Sequence, residues 1–131
     1  PTAVPTATPN PVPSGILGYI NQARAQNGLV QLTYSSELNS AAKAKSQDMY
    51  EKNYFSHTSP DGRSDFDFIK AAGYIYRFAG SNIAKGNFTE KSVFDAWMNS
   101  PGHRANILDA RAREFGYGVA GSYHTMMVGA R

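Results

Sequence analysis

Residues 114–128 read EFGYGVAGSYHTMMV, and this stretch decides what kind of fold the chain can adopt. Its two arms, 114–120 and 123–128, carry aromatic and β-branched residues. Gly121-Ser122 joins them, with glycine in the first central place, as a type II′ hairpin requires. Pairing Ala120 with Tyr123 sets Val119 opposite His124. Alternation then puts Glu114, Gly116, Gly118 and Ala120 on one face and Phe115, Tyr117 and Val119 on the other. The aromatic face belongs in a core. On the other face small residues flank a carboxylate, so a concavity beside Glu114 is expected. His124 projects with Phe115 and Tyr117, away from any site built around Glu114.

Upstream of the hairpin the pattern turns helical. Ser14 is positioned to cap a helix with the stripe Ile16, Ile20 and Ala23, stopped by Asn27-Gly28. A second helix follows Ser35 or Ser36, with Leu38, Ala41, Ala42 and Met49 on one face, and runs to about Lys52. Ser64 and Asp67 form a capping-box pattern for a third helix with Phe68, Ile69 and Ala72 inward and Gly73 as its end. Thr89 starts a fourth, carrying Val93, Ala96 and Trp97, which must break before Pro101. Ser100 caps a fifth with Pro101 in its first position. A strand is expected within 74–85. Helices around a small antiparallel sheet make an α+β fold in which the helices cover the sheet.

The chain has 131 residues, enough for one domain. It has no cysteine, so thiolate chemistry, iron–sulfur clusters and Cys-ligated zinc are excluded. The net charge of +3 is mild and the basic residues are scattered, which argues against nucleic acid. No apolar run approaches the roughly 20 residues that span a bilayer. Five of the seven prolines fall in residues 1–13, interleaved with threonine, which reads as an extended linker ahead of a domain at 14–131. Such spacers join secreted modules. The expectation is therefore an extracellular or cell-surface protein whose signal peptide or anchor is not in this chain.

Candidate chemistry rests on two histidines. His57 lies in Tyr54-Phe55-Ser56-His57-Thr58-Ser59-Pro60-Asp61-Gly62, where Pro60 and an Asp-Gly turn hold it. His103 lies in the first turn of the fifth helix, where the dipole favours its neutral form. Neutral imidazoles bind metal, but these two are 46 positions apart and share no local chelating motif. Histidines satisfied by backbone hydrogen bonds are the other reading. Trp97 reads as core, Arg104 as a surface charge, and Asp109, Arg111 and Arg113 as a solvated loop.

Four segments carry a resemblance: Tyr54-Phe55-Ser56-His57, Ala79-Gly80-Ser81-Asn82-Ile83-Ala84, the block from Ala96 to Leu108 (AWMNSPGHRANIL), and Glu114-Phe115-Gly116-Tyr117-Gly118-Val119. From about residue 15 onward the chain resembles the CAP superfamily (SCP domains), which comprises cysteine-rich secretory, antigen 5 and pathogenesis-related proteins. The lack of cysteine is similar to its compact bacterial branch. The resemblance implies a three-layer α-β-α sandwich with a cleft lined by two His and two Glu. The histidines map to His57 and His103 and one glutamate to Glu114. Ser81 stands where the family writes the other, so the tetrad is incomplete. His124 and Met126 stand where members often have an aromatic residue and Gln.

Three functions follow as expectations. The preferred one is a secreted, monomeric binding module whose cleft can hold a divalent cation, with zinc the natural partner of His57 and His103. Its ligand would be extracellular: a protein, a cell-wall component or a lipid. The alternatives are a metal-assisted hydrolase with Glu114 as general base, and a carrier of lipid or sterol. Enzyme activity is not favoured, because the missing glutamate removes the obvious acid partner.

Overall fold

Helix α1 (Ile16–Gln26) buries Ile16, Ile20 and Ala23 and stops at Asn27-Gly28, where Gly28 takes φ 71°. The coordinates are a computed structural model that describes residues 15–131; the expected linker at 1–13 and the Ser14 cap lie outside the described residues. Gly15 occupies the cap position of α1, and Glu90 Oε1 accepts from the Ile16 amide at 2.8 Å. Strand β1 (Thr33–Tyr34) leads into α2 (Ser36–Lys52), capped by Ser35, whose hydroxyl accepts from Leu38 N. Helix α3 (Asp65–Ala71) carries the complete Ser64/Asp67 capping box. Strand β2 (Phe78–Lys85) is followed by α4 (Glu90–Met98), capped by Thr89. After α5 (Pro101–Ile107) the hairpin closes the chain as β3 (Glu114–Ala120) and β4 (Tyr123–Ala130).

The hairpin register is the expected one, with Ala120 opposite Tyr123 and Val119 opposite His124. Gly121 has φ 57° while Ser122 is not in the left-handed region, as a type II′ turn demands. The strand order is β1-β3-β4-β2. Expected as antiparallel, the sheet is mixed, because β1 pairs in parallel with β3. Two residues of edge strand carry no periodicity from which that could be read. Its position is set by the turn after α1, where Asn21 holds both the amide and the carbonyl of Leu32.

Three layers result. Leu38, Ala41, Ala42, Phe68 and Ile69 of α2 and α3 pack with Met127 on one face of the sheet. Ile16, Ile20, Val93, Trp97 and Ile107 of α1, α4 and α5 pack with Phe115, Met126 and Val128 on the other. Trp97 is core, as expected, and its indole donates to Ile83 O at 3.2 Å. Arg24, fully buried, donates to the carbonyls of Ile107, Asp109 and Ala112 and so closes the C-terminal end of α5.

The expected concavity beside Glu114 does not exist. A Cβ on Gly116 would stand 2.2 Å from backbone atoms of Asn39 and Leu38, and one on Gly118 would stand 2.4 Å from Lys43. The space is filled by the backbone of α2. Small residues on this face serve close helix-on-sheet packing, and no room for a ligand remains there.

Candidate functional site

Four residues far apart in sequence meet where α2, α3 and β2 come together. Asp65, the first residue of α3, is 2% exposed, and its Oδ2 accepts from His57 Nδ1 at 2.5 Å and from Ser81 Oγ at 2.6 Å. Lys45, 0% exposed on the inner face of α2, sets its Nζ 3.1 Å from Asp65 Oδ1. That contact is an ion pair out of line for a hydrogen bond, so Oδ1 has no hydrogen-bond partner. Lys45 also donates to Tyr54 OH at 3.2 Å, and Tyr54 OH donates to Asp48 Oδ2 at 2.6 Å.

These contacts set the charge states. Burial pushes the Asp65 carboxyl up, but the hydrogen bonds from His57 and Ser81 and the charge of Lys45 outweigh it, and the group stays below the usual range. The same hydrogen bond raises His57 above an ordinary imidazole. With Nδ1 committed to Asp65, His57 turns its Nε2 edge outward. The loop carrying it is tied by the Thr58–Ser64 bridge and by the Asp61-Gly62 turn, where Gly62 has φ 88°.

His103 reaches the same region from the other side of β2. Asn82, fully buried, donates to the His103 carbonyl at 3.0 Å. Asn106, one turn along α5, donates to Ser81 O and to Asn82 Oδ1. These two asparagines clamp α5 onto β2. Gly80 keeps the join close, since a Cβ there would meet Asn106 Oδ1 at 3.1 Å. Ser100, expected to cap α5, instead meets His103 Nδ1 at 2.9 Å. Burial lowers the His103 pKa, and the nearby His57 charge lowers it further. The two imidazoles are therefore shifted in opposite directions, His57 towards the charged form and His103 towards the neutral one.

Between these elements lies an open groove of about 500 Å³ whose lining includes His57, Asp65, Ser81, Asn106, Phe78 and Arg111. Of the expected site residues, the structure brings His57 and Ser81 together, with His103 beside them. Glu114 is not part of this arrangement. It accepts from Tyr74 OH at 2.7 Å and from Arg131 Nε at 3.0 Å, and the Arg131 contact holds its carboxyl below the usual range. The carboxylate that meets Ser81 is Asp65, which in the sequence reads only as part of a helix start. Lys45 did leave a signal: it falls on the same helical stripe as Leu38, Ala41, Ala42 and Met49, and a charge in that phase needs a buried partner.

A resident zinc ion fits this donor set poorly. His57 and His103 each have Nδ1 engaged and offer one Nε2. Among the described residues no group of three His, Asp or Glu side chains is placed to hold a metal. Two imidazoles complete half of the tetrahedral shell that zinc prefers.

The sequence profile of the cysteine-rich secretory protein family, CAP, matches residues 17–129. The Bacillus subtilis (strain 168) protein YkwD is 44% identical over 128 residues, covering 92% of this chain and 50% of YkwD, so the chain spans about half the length of that relative. An extracellular protein containing a SCP domain from Bacillus anthracis str. Ames superposes with TM-score 0.85 at 29% identity, over 88% of this chain and 39% of its own. An outer surface protein from Borrelia burgdorferi superposes with TM-score 0.80 at 20% identity, over 88% of this chain and 90% of its own, and supports the fold alone.

Proposed function

The chain belongs to the cysteine-rich secretory protein (CAP) family, and from that premise we propose that its groove is an extracellular binding site and not a hydrolytic centre. The extracellular placement is supported by the Bacillus anthracis relative described as an extracellular protein and by the proline-rich composition of residues 1–13. Among the described residues no helix is long and apolar enough to cross a membrane.

One observation carries the reading: Asp65 Oδ2 accepts both His57 Nδ1 and Ser81 Oγ. A nucleophilic serine needs a base that takes its proton, but here the hydroxyl donates to a carboxylate that stays ionised, and the imidazole of His57 is turned to that same carboxylate. Asp65 itself, depressed in pKa by the donors on its Oδ2 and by the charge of Lys45, is a weak general base. Glu114, the base expected from the sequence, is committed to Arg131 and Tyr74. What remains is a rigid polar wall with the exposed edge of His57 as a donor, suited to recognising a polar ligand such as a protein segment or a cell-wall component better than a sterol. Zinc at His57 and His103 enters this reading as a weakly held ion whose remaining positions the ligand or water completes.

The test is a panel of peptide and ester substrates with and without zinc, run beside a zinc titration followed by NMR. Expected are no turnover and weak zinc-dependent shifts at His57 and His103 that vanish in the His57→Ala, His103→Ala double variant. Turnover that is abolished by His57→Gln would overturn the binding reading.

A further inference from the structure

A second groove, about 310 Å³, opens at the end of the sheet, lined by Arg77, Phe78, Arg111, Arg113 and Ala130. Phe78 and Arg111 also line the groove that holds His57 and Ser81, so the two share a wall. Each arginine is anchored by one edge. Arg111 lays its guanidinium over the Phe78 ring, 4.2 Å from the centroid, with Nε and Nη2 on Asp109. Arg113 Nη1 donates to the carbonyls of Ala110 and Ala112. Arg77 Nε donates to Arg131 O at 3.1 Å.

The anchored edges leave donors over. Arg111 Nη1, both terminal nitrogens of Arg77, and Nε and Nη2 of Arg113 have no protein acceptor among the described residues. Charge is left over too. Asp109 is the one side-chain carboxylate paired with these arginines among the described residues, while Glu114 is taken by Arg131. Arg24 lies directly behind, donating to the Asp109 and Ala112 carbonyls, and adds a buried positive charge. Guanidinium forks held in place match the paired oxygens of phosphate and carboxylate groups, and a concave wall of one sign focuses the field on an anion.

We propose that the Arg77/Arg111/Arg113 groove is an oxyanion subsite, taking a phosphate or carboxylate group of the ligand that occupies the neighbouring His57 groove. It rests on the reading of that groove as a binding site and narrows the ligand to an anionic class. The loop that in sequence reads as merely solvated is thereby a recognition element.

Pyrophosphate and citrate serve as the two probes, each titrated at low salt while the arginine Nε–H signals are followed by NMR. Expected are saturating shifts at Arg77, Arg111 and Arg113, with affinity about tenfold weaker in the Arg111→Ala, Arg113→Ala double variant and unchanged in Arg104→Ala. Affinity should also fall as salt is raised. Binding of pyrophosphate alone identifies a phosphate source, and of citrate alone a carboxylate source. Shifts spread evenly over the surface arginines, or affinity untouched in a folded double variant, would overturn the subsite. Because no turnover is measured, this outcome is independent of the substrate panel that tests the binding reading.

Discussion

Replacing Asp65 by Asn isolates what the buried charge contributes. The amide keeps an acceptor for Ser81 Oγ and His57 Nδ1 but removes the partner of Lys45, whose side chain is 0% exposed and whose Nζ lies 3.1 Å from the carboxylate. An ammonium left unpaired in such a place costs about 3–5 kcal/mol. A domain of this size loses about 4 °C of Tm per kcal/mol, so the expected drop is about 12–20 °C. The cycle is completed with Lys45→Met and with the double variant, all measured by urea and thermal denaturation near pH 7. The double variant should be more stable than the sum of the single losses allows, by about 2 kcal/mol or more, because the penalty of each single change is the charge it strands. His57 should also titrate nearer an ordinary imidazole in Asp65→Asn, since its largest raising influence is the hydrogen bond to this carboxylate. A loss under about 1 kcal/mol, or single losses that simply add, would refute the coupling of Lys45 to Asp65.

Two further outcomes follow from the packing and from the histidines. Gly116→Ala drives a methyl to 2.2 Å from the α2 backbone and should cost about 3 kcal/mol in urea denaturation, whereas Gly102→Ala, with nothing within 4 Å, should cost nothing or stabilise slightly. In NMR titrations His57 should titrate above 6.5 and His103 below it. The raised His57 lends stability that is complete below 6.5 and lost as pH climbs through its folded value. The depressed His103 lends stability that is complete above 6.5 and lost as pH falls through its folded value. Reversal of that order would mean that Asp65 does not hold His57.

Much of the fold was legible without coordinates because it rests on local rules. The caps at Ser35, Ser64 and Thr89 and the left-handed stops at Gly28 and Gly73 follow from backbone groups a few residues apart. The same holds for the Gly121-Ser122 turn, with the register and the inward turn of His124 that it dictates; Tyr117 OH meets His124 Nδ1 at 2.7 Å on the face away from Glu114. Ser100 holds the cap position of α5 without a cap bond, and the reason is tertiary: once Asn82 and Asn106 fix α5 against β2, its hydroxyl lies on His103.

The site itself was only half written in the sequence. His57, Ser81 and His103 could be singled out one at a time, but which carboxylate joins them depends on how α3 docks between α2 and β2. Periodicity assigns a residue to a face and is silent about which other element covers that face. Glu114 and Ser81 do lie on the same face of the sheet, as alternation along the hairpin allowed, yet β4 runs between their strands and Met127 stands opposite Ser81. Tertiary packing gave Glu114 to Arg131 and brought Asp65, 16 positions before Ser81 in the chain, to the hydroxyl instead. A buried lysine had to be neutralised, and only the folded chain decides which carboxylate lies within reach.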